Sequence, residues 1–110
     1  MEKANITSIN YEPSDTIEMQ GKRKDIDKYL KKGYYIKEER NGYWVLVKAA
    51  RLIVTLKNSS CTKTFNMKEE VLDYYGKARI SESLVNKFKM DIDNGTITID
   101  MDSEGSYSLK

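Results

Sequence analysis

The sequence predicts an α+β fold, an antiparallel sheet carrying three helices. Three observations point there. Asn41-Gly42 lies between two runs rich in tyrosine, valine and isoleucine, and Asn-Gly suits the type I′ turn of a two-residue hairpin. Residues 96–102 (TITIDMD) alternate apolar and polar side chains as a half-buried strand does. Three other stretches repeat apolar residues at helical spacing beside residues suited to helix ends.

Taken in order, Asn5 to Tyr11 alternates, with Thr7, Ile9 and Tyr11 on one face, and reads as a strand. Glu12-Pro13-Ser14-Asp15 has turn chemistry, and Thr16 to Gln20 alternates again, so the two runs read as an N-terminal hairpin or an ordered arm. A helix follows over Lys22 to Lys32, with Ile26, Tyr29 and Leu30 as its apolar stripe and Gly33 as its cap. In the hairpin of residues 34–48, pairing Arg40 with Tyr43 puts Glu38 opposite Val45 and Ile36 opposite Val47. Arg51 to Lys57 adds a strand with Leu52, Val54 and Leu56 on one face.

Asn66 and Glu69 have the spacing of a capping box for a second helix, buried through Met67, Val71, Leu72 and Tyr75 and closed by Gly76. Ser81 caps a third helix, with Ile80 and Val85 as a hydrophobic staple and Leu84, Val85, Phe88 and Ile92 on one face. Asn94-Gly95 ends it. A final hairpin turns at Ser103-Glu104-Gly105 and faces Ile97, Ile99, Met101, Tyr107 and Leu109 inward.

At 110 residues, 39% hydrophobic and 33% charged, the chain reads as one globular domain spanning residues 1–110. No apolar run reaches the roughly 18 residues of a membrane span, and the start has no apolar signal segment. Cys61 is the single cysteine, which excludes an internal disulfide and fits a reducing cytoplasm. Catalytic readings are weak: the chain has no His, and no phosphate loop, dinucleotide glycine pattern or clustered thiolate ligands appear. The expectation is a non-enzymatic protein without cofactor or metal. Asp100, Asp102, Glu104 and Gly105 match the first positions of a calcium loop. Its bidentate Glu would fall one residue beyond Lys110, and the alternation at 96–99 demands a strand.

Charge is uneven. Residues 1–19 hold one Lys against four acids, residues 20–90 seventeen Lys or Arg against eight acids, and residues 91–110 one Lys against five acids. A basic body between acidic ends attracts phosphate, although an ordinary lysine-rich surface explains the same excess. The third helix offers Ser83, Asn86 and Lys87 away from its apolar stripe, residue types that pair with base edges or phosphate. Lys77 and Arg79 precede it, where its N-terminal amides also favour phosphate. Lys22, Arg23 and Lys24 begin the first helix, at the end where the dipole disfavours cations, so they too are candidate phosphate contacts.

With the first helix, the order helix–strand–helix–helix–strand–strand resembles the small winged helix-turn-helix proteins of Gram-positive conjugative plasmids and mobile elements, with an extra hairpin after the first helix. The resemblance covers about Lys22 to Lys110 and rests on element order. It implies a double-stranded DNA-binding accessory factor or regulator of plasmid transfer, with Ser83, Asn86 and Lys87 as base readers and Lys77 and Arg79 as phosphate clamps. Against it, the would-be wing carries Asp100, Asp102 and Glu104, the wrong sign for phosphate. The surface of Lys22, Arg23, Lys24, Lys28, Arg40, Lys48 and Arg51 is then the alternative binding face. A rival reading is a protein-interaction module, such as a phage or plasmid inhibitor, to which eight tyrosines and Trp44 are suited. Oligomeric state is unreadable from the sequence, and a dimer is compatible with either function.

Overall fold

The computed structural model describes residues 1–110. In chain order it contains β1 (Glu2–Glu12), β2 (Asp15–Gln20), α1 (Arg23–Leu30), β3 (Tyr35–Arg40), β4 (Tyr43–Lys48), β5 (Arg51–Lys57), β6 (Thr62–Asn66), α2 (Lys68–Tyr75), α3 (Glu82–Asp93), β7 (Ile99–Met101) and β8 (Tyr107–Leu109). The chain divides into two compact units, Met1–Glu12 with Arg51–Lys110, and Pro13–Ala50.

The first unit is a curled five-stranded antiparallel sheet in the order β6-β5-β1-β7-β8, with α2 and α3. β1 pairs through Asn5–Glu12 with β5 and through Glu2–Ala4 with β7. Its register shifts between Ile6 and Ser8, leaving Thr7 as the extra residue of a bulge. Leu52, Val54 and Leu56 of β5, Met67, Val71 and Leu72 around α2, Leu84, Val85 and Phe88 of α3, and Ala4, Ile97, Ile99 and Met101 form one core. The curl brings the edge strands together: the Phe65 and Tyr107 rings lie 4.5 Å apart, and Lys63 Nζ donates to the Glu104 carbonyl at 2.8 Å.

The helix ends follow local chemistry. Ser81 caps α3 as predicted, its Oγ accepting from the Leu84 N–H at 3.2 Å. At α2 the N-cap is Met67, not Asn66, because Asn66 completes β6. The Asn66 side-chain oxygen accepts from both the Leu52 and the Lys68 N–H at 3.2 Å, fastening β5 to the start of the helix. β6 itself is absent from the sequence reading.

The second unit is a three-stranded antiparallel sheet, β2-β4-β3, with α1 packed through Ile26 onto Trp44 and Leu46. Ile17, Met19, Tyr29, Leu30, Tyr34 and Ile36 surround that cluster. The indole N–H of Trp44 donates to the Gly21 carbonyl at 3.0 Å, so its ring is buried without an orphaned donor. Glu38 opposes Val45 and Arg40 opposes Tyr43, as the Asn-Gly turn requires. Ile36, however, opposes Leu46 and not Val47, because a bulge intervenes between Ile36 and Glu38. Regular alternation would put Ile36 on the Val45 face; the extra residue, Lys37, returns it to the Leu46 face and turns Tyr35 outward.

This architecture overturns the winged helix-turn-helix arrangement. The chain is α+β, but strand-rich, with 43% strand against 25% helix. The predicted wing, β7–β8, is bonded to β1 as one edge of the five-stranded sheet. α1 packs on a sheet of its own within a different unit from α2 and α3, so no three-helix core of that family exists. The N-terminal hairpin is also corrected, since β1 pairs with β5 and β7 while β2 pairs with β4. The hairpin of residues 34–48 is no insertion but two strands of that second sheet. No helix is long and apolar enough to cross a membrane.

Phe88 is the largest of the fully buried side chains. Phe88→Ala is expected to destabilise the protein by roughly 3 to 5 kcal/mol, seen as a lower urea midpoint at unchanged slope. A loss below about 1 kcal/mol would contradict the packing described.

Candidate functional site

In the Pro13–Ala50 unit the site is built by the end of α1. The Tyr34 N–H bonds to the Tyr29 carbonyl at 3.2 Å and the Gly33 N–H to the Leu30 carbonyl at 3.2 Å, the paired bonds of a Schellman motif. Gly33 takes φ +98°, which a side chain would make strained. The motif reverses the chain so that Tyr34 comes back onto Tyr29, their rings meeting edge to face at 5.9 Å. The Tyr34 hydroxyl is hydrogen-bonded to Asp15, which raises its phenol above the ordinary range.

Three ammonium groups gather on these rings. Lys28 and Lys32 lie 5.1 and 5.9 Å from the Tyr29 centroid, and Lys48 lies 5.9 Å from the Tyr34 centroid. None has a carboxylate within 4 Å, although Asp15 is the cross-strand partner of Lys48. Lysines one helical turn apart repel, costing a few tenths of a kcal/mol in the absence of an anion. Ammonium over an exposed ring recovers about 0.5–1 kcal/mol per pair, so the tyrosines hold together cations that would otherwise spread.

The predicted residues of α1 border this cluster in sequence. Lys22 precedes the helix, its backbone N–H donating to Asp25 Oδ2 at 2.7 Å while its side chain stays without a carboxylate partner. The same carboxylate explains Gly21: a Cβ there would lie 2.7 Å from Asp25 Oδ2. Lys24 is exposed and unpaired, whereas Arg23 faces Asp27 at 3.8 Å, a weak exposed pair. Arg40 is taken by Glu38 at 3.1 Å, and Arg51 belongs to the other unit, 3.9 Å from Glu12.

In the Met1–Glu12 and Arg51–Lys110 unit, Lys77, Arg79, Ser83 and Lys87 do come together. With Ser81 and Leu84 they line a cleft of about 410 Å³. A second Schellman motif places Lys77: its N–H bonds to the Leu72 carbonyl at 3.0 Å around Gly76. Yet Lys87 is engaged, 3.6 Å from Asp91 Oδ2 and 5.7 Å from the Tyr75 centroid, and Ser83 Oγ lies 3.2 Å from Ser81 Oγ. Asn86 is exposed but does not line the cleft. The outward face of α3 also carries Glu82, Asp93 and Met90, the last 62% exposed. Lys89 is exposed on the same helix without a carboxylate partner, so the charge of this face is mixed.

Two acids of the last hairpin, Asp100 and Asp102, are structural. Asp102 Oδ1 accepts from the Glu104 and Ser106 N–H groups, both at 2.9 Å, and these backbone bonds, the one from Ser106 foremost, hold its carboxyl below the ordinary range. Asp100 pairs with Lys110 at 2.8 Å.

The sequence reading missed Lys32, Tyr29 and Tyr34 as members of one cluster. Lys28 and Lys32 share a helix face by spacing alone, but Lys48 and Tyr34 join them only through the fold. It also missed the grouping of Glu70, Asp73, Tyr74 and Tyr107 between α2 and β8. No family model, no curated protein and no solved structure matches the chain.

Tyr75 supplies a pH test of the α2–α3 packing. Its hydroxyl donates to Asp91 Oδ2 at 2.6 Å, and burial first, then this bond, push its phenol well above the ordinary range. A raised folded-state value stabilises the fold fully below the ordinary tyrosine range, near pH 10, and that stabilisation is lost as pH climbs beyond it. Stability should therefore fall above about pH 10 in the wild type, and more gently in Tyr75→Phe. Thermal melts at stepped alkaline pH read both slopes, and equal slopes would refute the Tyr75–Asp91 bond.

Proposed function

We propose that the protein is a non-enzymatic DNA-binding factor, accessory or regulatory in role, that holds duplex phosphates on the basic face of the Pro13–Ala50 unit. One observation carries the reading: Lys28, Lys32 and Lys48 are gathered on the Tyr29–Tyr34 pair with no carboxylate within 4 Å of them. Lys22 and Lys24 extend the same charge toward the start of α1, with Arg23 partly offset by Asp27. Phosphate oxygens relieve the mutual repulsion of such cations and release counterions from the duplex, which favours association at low salt.

The contact expected is to backbone and not to bases. Lysine is a point charge without the planar fork that reads guanine, and the tyrosine rings have ammonium groups over them. Sequence preference should therefore be slight. The α3 surface, with Ser83, Asn86 and Lys87, takes no part in this reading, because Lys87 is drawn to Asp91 at 3.6 Å and Glu82 and Asp93 share the helix with Lys89.

Fluorescence anisotropy on a labelled random-sequence duplex tests the proposal. Log K should fall with log salt by about 0.9 for each phosphate neutralised. The triple variant Lys28→Gln, Lys32→Gln, Lys48→Gln is expected to bind more weakly and to flatten that slope by about 0.9 per lysine removed. Asn86→Ala with Lys87→Ala should leave both unchanged. Absence of binding at low salt, or full binding by the triple variant, overturns the assignment.

A further inference from the structure

The cleft between α2 and β8 plays no part in the DNA reading. It measures about 360 Å³ and is lined by Glu70, Asp73, Tyr74, Tyr107, Ser108 and Leu109. Glu70 and Asp73 stand three residues apart on α2 and so share a side of the helix. Neither has a Lys or Arg within 4 Å. The rings beside them are braced: Tyr74 meets Tyr75 edge to face at 5.1 Å, and Tyr107 rests on Phe65. Tyr74 nonetheless leaves 43% of its surface exposed, a large aromatic surface held in place with nothing packed over it. The Tyr107 hydroxyl is hydrogen-bonded to Glu70, and two carboxylates without a cation partner beside fixed aromatic rings suit a cation with a flat or apolar body.

The backbone of β8 supplies a second, independent feature. Thr98 and Lys110 exchange both of their backbone bonds, at 2.9 and 2.8 Å, and the Asp102 N–H donates to Ser106 at 2.9 Å. Bonded pairs alternate along an antiparallel ladder, so Ser108 turns its N–H and C=O toward β7, while those of Tyr107 and Leu109 point away. β8 is an outer strand of its sheet, and no protein group bonds to these outward amides. An extended chain can add there, with alternate side chains directed to the side of Tyr107 and Leu109.

We propose that this cleft binds an arginine side chain from an extended segment of a protein partner, the segment pairing as an added strand with β8. Arginine fits better than lysine, since its planar group stacks on tyrosine and presents several donors to two carboxylates at once. This assignment lies on a different unit from the lysine cluster and stands or falls apart from it.

The test uses the full chain labelled with nitrogen-15 and the blocked peptide Thr-Val-Arg-Val-Thr as probe. The Tyr107 and Leu109 amide signals are expected to shift together along one saturation curve. Replacing the peptide's arginine by glutamine, or introducing Glu70→Gln with Asp73→Asn, should weaken binding roughly tenfold or more. Both substituted side chains are exposed, so the remaining spectrum of the double variant should overlay the wild type and show that the fold is kept. No shift at those amides, or equal affinity in the double variant, overturns the proposal. So does equal affinity for the glutamine peptide.

Discussion

The apolar side chains of β1 are out of step with a regular strand. Ala4 and Ile6 are two residues apart, as are Ile9 and Tyr11, but Ile6 and Ile9 are three apart, and all four pack on the same core. An unbroken strand would turn one of these pairs to solvent, since side chains alternate faces. The bulge at Thr7 absorbs the extra residue and keeps Ile6 opposite Leu56 while Ile9 meets Val54. Half-burying a pair such as Ile9 and Tyr11 is worth roughly what fully burying one isoleucine is, about 1.5–3 kcal/mol, against about 1 kcal/mol net for one ladder bond disturbed. The bulge wins on those magnitudes. Everything else in the sheet follows from it, because β1 holds β5 on one flank and β7 on the other.

The hairpin of residues 34–48 solves the same problem with Lys37. Alternation read from the chain places Ile36 with Val45 and Val47, yet the side that packs on α1 is the one bearing Trp44 and Leu46. One unpaired lysine corrects the phase, and the cost is borne where the side chain is exposed. Neither bulge is legible from periodicity: the one at Thr7 is decided by β5, far along the chain, and the one at Lys37 by which face of β4 meets α1. What periodicity does reveal was borne out where the partner is adjacent, as in the Asn41-Gly42 turn, the Ser81 cap and the apolar face of α3.

The misreading of architecture has a related cause. Order along the chain matches the winged-helix pattern, and order alone leaves open which apolar stripe meets which sheet. Here the α1 stripe is satisfied by β4, while those of α2 and α3 are satisfied by β5, β7 and one another. β6 was invisible because only Phe65 among its residues turns a large apolar group inward, the remainder being Thr62, Lys63, Thr64 and Asn66, all exposed. A strand paired on one side alone needs little apolar alternation to persist.

A charge count along the chain weighs every ionisable group alike. The fold does not. Asp102 is spent on two turn amides, Asp100 on Lys110, Asp25 on the start of α1, and Lys87 on Asp91. Subtracting groups so engaged leaves Lys89 as the unpaired lysine of the presumed recognition helix and gives one of the three acids of the last hairpin, Asp100, a cation partner. It leaves Lys28, Lys32 and Lys48, like Lys77, Arg79 and Lys89, without a carboxylate within 4 Å. Lys28, Lys32 and Lys48 are brought together through Gly33, whose positive φ lets Tyr34 return onto Tyr29. Which charges stay free of a carboxylate is therefore a property of the fold and not of the net charge along the chain.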